Sequence, residues 1–300
     1  MTFRSGVVAV IGKPNVGKST LVNAVVGQKV SIVSDKAQTT RRRIRGIATT
    51  DEWQIAFVDT PGYHAPHHRL GRTLNDVARQ SIQDVDILLV MVDGSKSPDG
   101  ADRTLAAMLR DTAMIGDSAR APVILCMNKM DLLEAKYVET NYEAYVKLFP
   151  ADESMMTSCT RSHNVDLLVG LLVDRLPEGP PHFDPDIVTD MPMRFMAAEL
   201  VREKALHLTR QEVPHAIATY VEDWDEGEDL LHISAVILVE RNSQKGILIG
   251  KKGRMLTEIG TKARKEIEEM VGKKVFLELF VKVGEEWRQS PRMLRELDLS

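Results

Sequence analysis

The chain has 300 residues, 43% apolar and 27% charged, which fits one large or two ordinary folded domains and excludes a mainly disordered chain. Lys plus Arg number 39 and Asp plus Glu 43, a net charge of −4 that taken alone argues weakly against a nucleic-acid partner. Two cysteines, Cys126 and Cys159, make no disulfide framework, and no apolar run approaches the ~20 residues of a membrane span. The N-terminus also lacks the zones of a signal peptide, so the expected compartment is the cytoplasm.

Four short apolar runs, Val7–Ile11, Ile55–Val58, Ile87–Val92 and Val123–Met127, have strand length and no polar alternation. Such runs predict strands buried on both faces, as in a mostly parallel sheet between helices. Helix candidates fall between and after them at Lys18–Gly27, Arg72–Gln83, Arg103–Arg110, Tyr137–Leu148 and Val165–Arg175. The alternation predicts a doubly wound α/β domain over residues 1–176. Five of the 13 prolines then fall between Pro177 and Pro192. Proline fixes φ and has no N–H, so residues 177–193 read as a semi-rigid linker.

Residues 194–300 follow a different pattern, α-β-β-α-α-β. Phe195, Ala198, Val201, Ala205 and Leu208 make a helical stripe, and Leu256, Ile259, Ala263, Ile267 and Met270 another. Leu231 to Val239 and Val275 to Val283 alternate as strands. The acidic cluster from Glu222 to Asp229 reads as a solvated hairpin loop.

Gly12-Lys13-Pro14-Asn15-Val16-Gly17-Lys18-Ser19, followed by Thr20, matches G-x-x-x-x-G-K-[ST] between a strand and a helix. Backbone N–H groups of such a loop cradle phosphates; Lys18 would reach the terminal phosphates and the Ser19 hydroxyl would ligate Mg²⁺. Asn128-Lys129-Met130-Asp131 ends a buried strand and selects the base. The Asp131 carboxylate can accept from N1–H and the 2-amino group of guanine, a donor pair that adenine lacks. Asn128 can bridge loops, and the Lys129 stem can cover the ring. Asp59-Thr60-Pro61-Gly62 ends the second strand, with Asp59 placed to hold Mg²⁺ through water and the Gly62 N–H to sense a γ-phosphate.

Ile249-Gly250-Lys251-Lys252-Gly253 joins two helices as a G-x-x-G loop, the arrangement of a type-two KH domain, whose loop approaches a nucleic-acid backbone. From Arg241 to Lys274 there are ten Lys or Arg and four Asp or Glu, a local +6 inside a chain that is acidic overall. The −4 is therefore an average over a basic surface and an acidic remainder.

These three ordered nucleotide motifs resemble the translation-factor-type GTPases, and Lys36-Ala37-Gln38-Thr39-Thr40-Arg41 resembles the first switch of the Era family. With the KH pattern, Arg202-Glu203-Lys204 and Glu212-Val213-Pro214-His215, the resemblance to the Era family covers about residues 5 to 295. It implies a P-loop GTPase domain with a doubly wound mixed sheet, then an α+β KH domain with a C-terminal helix. It implies GTP hydrolysis, Ser19, Thr40 and Asp59 as the Mg²⁺ set, and Thr40 as the switch threonine, with Thr39 the near alternative. Asn15, Lys18, Thr40 and Gly62 are then the catalytic set. Asn15 either places K⁺ near the phosphates or shapes the loop. Ser158 and Cys159, with Thr160, stand where the family usually has Ser-Ala, and a backbone N–H there would meet guanine O6. The implied partners are GTP or GDP, the 3′ end of small-subunit ribosomal RNA and the small ribosomal subunit, with peripheral inner-membrane association; nothing in the sequence calls for more than a monomer.

Tyr63 occupies the place where many small GTPases carry a water-orienting glutamine, and it leaves that group unidentified. His64 and His68 have metal-ligand spacing only on a helix, which Pro66 interrupts. The run Arg41, Arg42, Arg43 and Arg45 reads as a solvated strand face or as an RNA phosphate contact.

Overall fold

The computed structural model describes residues 2–299 apart from 37, 65, 67 and 113–120. Ala37 of the switch motif and Ala65 and His67 of the histidine-rich segment therefore lie outside the described residues. The chain divides into two compact units. The first comprises Met1–Ser31, Thr40–His67 and Gly71–Asp190; the second comprises Ile32–Thr39, His68–Leu70 and Met191–Ser300.

Among the described residues, the first unit holds a six-stranded sheet in the order β2-β3-β1-β4-β5-β6. Its strands are β1 (Arg4–Ile11), β2 (Ile44–Thr49), β3 (Trp53–Asp59), β4 (Ile87–Asp93), β5 (Val123–Asn128) and β6 (Glu153–Met156). Only β2 runs antiparallel, paired with β3, so the sheet is mixed. The unbroken apolar runs are explained by two cores. Ala9, Ile11, Leu88, Val90, Leu125 and Met127 pack on one face, and Val8, Val10, Leu89, Met91, Ile124 and Cys126 on the other. The helices α1 (Lys18–Val26), α2 (Arg69–Gln80), α3 (Gly100–Asp111), α4 (Val138–Leu148) and α5 (Val165–Arg175) cover these faces. Open α/β sheets bind ligands at the carboxyl ends of their strands, where connections leave in opposite directions. Here β1, flanked by β3 and β4, marks that place.

Two readings change, and the expected linker gains contacts. The arginine run is only in part a solvated face: Arg43 is exposed, whereas Arg41 is only 5% exposed and Arg45 pairs with Asp190 at 2.9 Å. The strand β2 is missing from the sequence reading because its apolar residues are only Ile44, Ile47 and Ala48, too sparse for a run. The proline-rich segment lies along the first unit, pinned by Gln54 Nε2 donating to the Phe183 carbonyl (2.9 Å) and Ile47 N–H to Val188 (2.8 Å).

The second unit packs α6 (Met193–Leu208) and the short α7 (Val213–Ala216) with a three-stranded sheet, β7 (Ala218–Glu226), β8 (Leu230–Val239) and β9 (Lys274–Val283). It also contains α8 (Asn242–Ile249), α9 (Arg254–Val271) and α10 (Pro291–Glu296). The acidic cluster is mostly strand: Glu222 to Glu226 belong to β7, with a bulge between Val221 and Asp223. As β7 is an edge strand, these charges face solvent and discourage pairing with another chain.

The helix α6 is buried far beyond its apolar stripe, so its polar residues are paired. Arg202 bonds Glu199 and donates to the Thr39 carbonyl, and Glu203 accepts from the Val33 N–H at 2.9 Å. Lys204 joins Glu203 to Glu266.

Candidate functional site

At the carboxyl end of β1 the chain turns through Gly12–Gly17 into α1. Gly17 has φ +107°, and a Cβ there would stand 2.2 Å from Asn128 Nδ2, so only glycine lets the two loops meet. The first turn of α1 has neither a side-chain cap nor an acidic residue, which leaves its N–H groups free to face an anion. Lys18 is buried, and its Nζ donates to the Gly12 and Lys13 carbonyls at 3.1 Å each. Burial lowers its pKa to about 8, opposed by Asp59.

Asp59 is fully buried, and burial pushes its carboxyl upward against the pull of Lys18 and its hydroxyl donors. Oδ2 accepts from Ser19 (2.6 Å), Ser31 (2.7 Å) and Thr40 (3.3 Å), while Oδ1 has no partner. A buried carboxylate oxygen with no partner, beside converging hydroxyls, is the donor set a hard cation requires. The residues therefore fit Mg²⁺. Thr40 lies 3.0 Å from Ser19 through its hydroxyl, whereas the Thr39 hydroxyl donates to the Lys36 carbonyl at 2.6 Å. Thr40 rather than Thr39 reaches the cluster.

Thr60 Oγ1 donates to the Val10 carbonyl at 2.8 Å, fixing the end of β3. The Tyr63 N–H donates to the Gly12 carbonyl at 3.1 Å, and its hydroxyl accepts from Arg79 at 3.0 Å. Its ring is buried, with the hydroxyl committed to Arg79. The His64 Nδ1 lies 2.9 Å from the Gly62 carbonyl, and Asn75 donates to the His64 carbonyl at 2.7 Å. Among the described residues no group of three His, Cys, Asp or Glu is arranged to hold a metal.

Asn128 ties three segments together. Its Nδ2 donates to the Val16 carbonyl at 2.8 Å, and its Oδ1 accepts from the Cys159 N–H at 3.0 Å and the Thr157 hydroxyl at 3.3 Å. The Cys159 N–H is thereby held against Asn128, which joins this loop to the end of β5. Lys129, at φ 67°, donates to Asp93 at 2.8 Å. Asp131 accepts from the Ser158 hydroxyl at 2.6 Å and lies 3.6 Å from Arg161. Burial pushes the Cys159 thiol up to about 11 and Cys126 up to about 12, so neither is a reactive thiolate.

Sequence reasoning missed Ser31, Asn23, Asp93 and Thr157. Asn23 was discoverable, since it lies one turn after Ser19 on α1; its side chain holds the Val30 and Ser31 N–H groups at 3.0 Å each. Asp93 ends a buried parallel strand, the place where such sheets carry functional residues. Ser31 and Thr157 sit in no motif, and only the fold brings them in.

In the second unit, Gly250 ends α8 at φ 70°, ψ 177°, and Gly253 opens α9 at φ 79°. Between them Lys252 is held at φ 53°, and both Lys251 and Lys252 project into solvent. A groove of about 450 Å³ follows, lined by Gly253, Leu256, Gly260 and Arg264 of the loop and α9 and by Leu277 and Leu279 of β9. Ile249 packs against the core beneath. A basic loop leading into an apolar groove beside an edge strand can hold a phosphate backbone and receive unstacked bases.

Comparison with known proteins finds a match for each of the two parts of the chain. A family profile described as "50S ribosome-binding GTPase" matches residues 7–129, and one described as "KH domain" matches residues 212–288. The chain is 48% identical over 295 residues to GTPase Era of Geotalea daltonii, covering 98% of this chain and 97% of that one. It is 47% identical to GTPase Era of Crocosphaera subtropica, covering 98% and 92%. Among solved structures it is similar to Era in complex with MgGDPNP and nucleotides 1506–1542 of 16S ribosomal RNA, with TM-score 0.93, 40% identity and 99% of both chains covered. It is also similar to an Aquifex aeolicus Era variant bound to GDP·AlF4⁻, with TM-score 0.89, 40% identity and coverage of 99% and 100%. With two family profiles in this order and near-full-length relatives at nearly half identity, the chain belongs to the Era family of GTPases.

Proposed function

We propose that this chain hydrolyses GTP and binds the 3′ end of small-subunit ribosomal RNA, assisting assembly of the small ribosomal subunit. The observation that carries this reading is the likeness, over 99% of the chain, to an Era solved with MgGDPNP and a 16S ribosomal RNA fragment. Residues 1–176 act as the GTPase domain, 177–193 as linker and 194–300 as the RNA-binding domain.

Gly12 to Thr20 hold the phosphates, with Lys18 on the terminal ones. Asn128, Lys129, Asp131, Ser158 and Cys159 shape the guanine site, Asp131 accepting the two base donors. Ser19, Thr40 and Asp59 hold Mg²⁺, which supplies positive charge to the phosphoryl oxygens when bound. Thr40 and Gly62 are the switch residues that GTP orders and hydrolysis releases. Asn15, exposed in the loop at φ 64°, holds K⁺, and exchanging K⁺ for Na⁺ is then expected to slow turnover.

Lys251 and Lys252 meet RNA phosphates. Replacing both with aspartate is expected to weaken binding of a 3′-terminal 16S ribosomal RNA oligonucleotide by at least roughly 100-fold and to flatten its salt dependence, leaving GTP turnover without RNA unchanged. Retained RNA affinity would sink the assignment of the groove. Nucleotide state and RNA affinity are coupled in this reading, so RNA binds with different affinity in the GDP and GTP-analogue states; equal affinities would remove the coupling.

The protein works in the cytoplasm as a monomer, touching the inner membrane only peripherally, which co-sedimentation with membrane vesicles reads. Among the described residues, no helix is long and apolar enough to cross a membrane.

A further inference from the structure

Lys13, the first variable residue of the phosphate loop, does not extend toward the space where phosphates would lie. Its Nζ donates to Asp102 Oδ2 at 2.7 Å and to Asp99 Oδ2 at 2.8 Å, both at the start of α3. Its carbonyl accepts from Lys18 Nζ at 3.1 Å, so the same residue is gripped at both ends.

Asp102 is 0% exposed, and its Oδ1 has no partner. Its Oδ2 also accepts from the Asp99 N–H at 3.0 Å in a capping box, and the Tyr145 hydroxyl lies 3.4 Å away. Tyr145 is a fully buried residue of α4, and its hydroxyl donates to the Asp93 carbonyl at 3.1 Å. Asp93 in turn holds Lys129 at 2.8 Å and the Ser95 hydroxyl at 2.6 Å. A capping role explains the Asp99–Asp102 contact. It explains neither a buried carboxylate shared with a loop lysine 89 residues away nor a tyrosine hydroxyl between two acceptors.

Buried ion pairs add little net stability, but they fix geometry. The chain of contacts runs from the phosphate loop, through α3 and α4, to the lysine of the guanine loop. These two loops must hold opposite ends of one nucleotide at a fixed separation, and a rigid support set beforehand reduces the ordering that binding requires.

We propose that Asp102 and Tyr145 are positioning residues for nucleotide binding, Asp102 setting the phosphate loop through Lys13 and Tyr145 tying that anchor to Asp93 and so to Lys129. This inference rests on the nucleotide site proposed above. Neither residue reaches the nucleotide. Their removal raises KM and speeds nucleotide release, while kcat at saturation stays the same because Lys18, Thr40 and Asp59 are untouched.

The test uses the full chain and a fluorescent GDP, comparing the native protein with Asp102→Asn, Tyr145→Phe, Lys13→Met and the Asp102→Asn/Lys13→Met double variant. Tyr145→Phe keeps the buried ring and removes only the hydroxyl, so it reports even if Asp102→Asn folds poorly. Asp102→Asn is expected to weaken GDP roughly tenfold and Tyr145→Phe roughly threefold, with kcat within about twofold of native. In the Lys13→Met background, Asp102→Asn should add less than about a twofold further loss, because both act through one contact. Unchanged affinity in both single variants, or losses that multiply in the double variant, would overturn the proposal. Failure of the native chain to bind GDP would instead overturn the nucleotide-site reading.

Discussion

Lys18→Ala is expected to reduce GTP turnover by at least roughly 100-fold while the protein stays folded. One preorganised donor at a developing phosphoryl charge is worth about 10²–10³ in rate. Lys18 is that donor in the proposed function, and its buried Nζ donates to the Gly12 and Lys13 carbonyls. Removing it frees two carbonyls but also removes a charge whose burial is unfavourable, so the nucleotide-free fold loses little. Comparing turnover with thermal unfolding of the same sample separates the effects. Turnover above about a tenth of native would show that Lys18 does not carry the charge.

The same residue sets an opposite pair of pH dependences. Burial holds Lys18 at about 8, below its ordinary 10.5. Between those values the unfolded chain binds more protons than the native one, so this group makes nucleotide-free stability rise with pH across that window. Phosphate binding needs the ammonium form. Above about pH 8 binding must therefore take up a proton, and GDP affinity falls by up to about tenfold per pH unit. Lys18→Met should abolish both trends; trends that persist would place them on another group.

Asp131→Asn is the second large change. The carboxylate can accept two hydrogen bonds from guanine and is itself held by the Ser158 hydroxyl at 2.6 Å. Asparagine presents one acceptor and one donor, so an N–H now faces a guanine N–H. Losing two bonds to a charged group costs about 3–5 kcal/mol, at least roughly 100-fold in GDP affinity. Xanthine has a carbonyl in place of the 2-amino group and complements the new pair. Competition of GDP and xanthosine diphosphate against a fluorescent nucleotide reads the switch. Equal losses for both nucleotides would mean that Asp131 supports the loop without reading the base.

The motifs were legible because each is a short run whose chemistry depends on local backbone. Gly12 to Ser19, Asp59 to Gly62 and Asn128 to Asp131 each follow an apolar run, and parallel strands deliver their carboxyl ends to one edge. The loop beside the groove was legible in the same way, through two glycines and two lysines between helices. Where the reading slipped, the local signal was ambiguous. Glu222 to Glu226 are charged yet form an edge strand, because an edge tolerates solvated side chains that a central strand would not. Arg41 looked exposed because charge predicts solvent only when no partner covers it.

The sequence by itself determined the fold classes, the nucleotide motifs, the glycine-lysine loop and membership of the Era resemblance. The tertiary structure decided which threonine meets Asp59, that Ser31 completes its hydroxyl set, that Cys159 spends its N–H on Asn128, and that Lys13 turns to Asp102. Each of these depends on partners that folding brings from elsewhere in the chain; Lys13 and Asp102 are 89 positions apart and Asp93 and Tyr145 52. Contacts of that kind leave no fixed spacing in a sequence, since the loops between them vary without disturbing the packing that joins them.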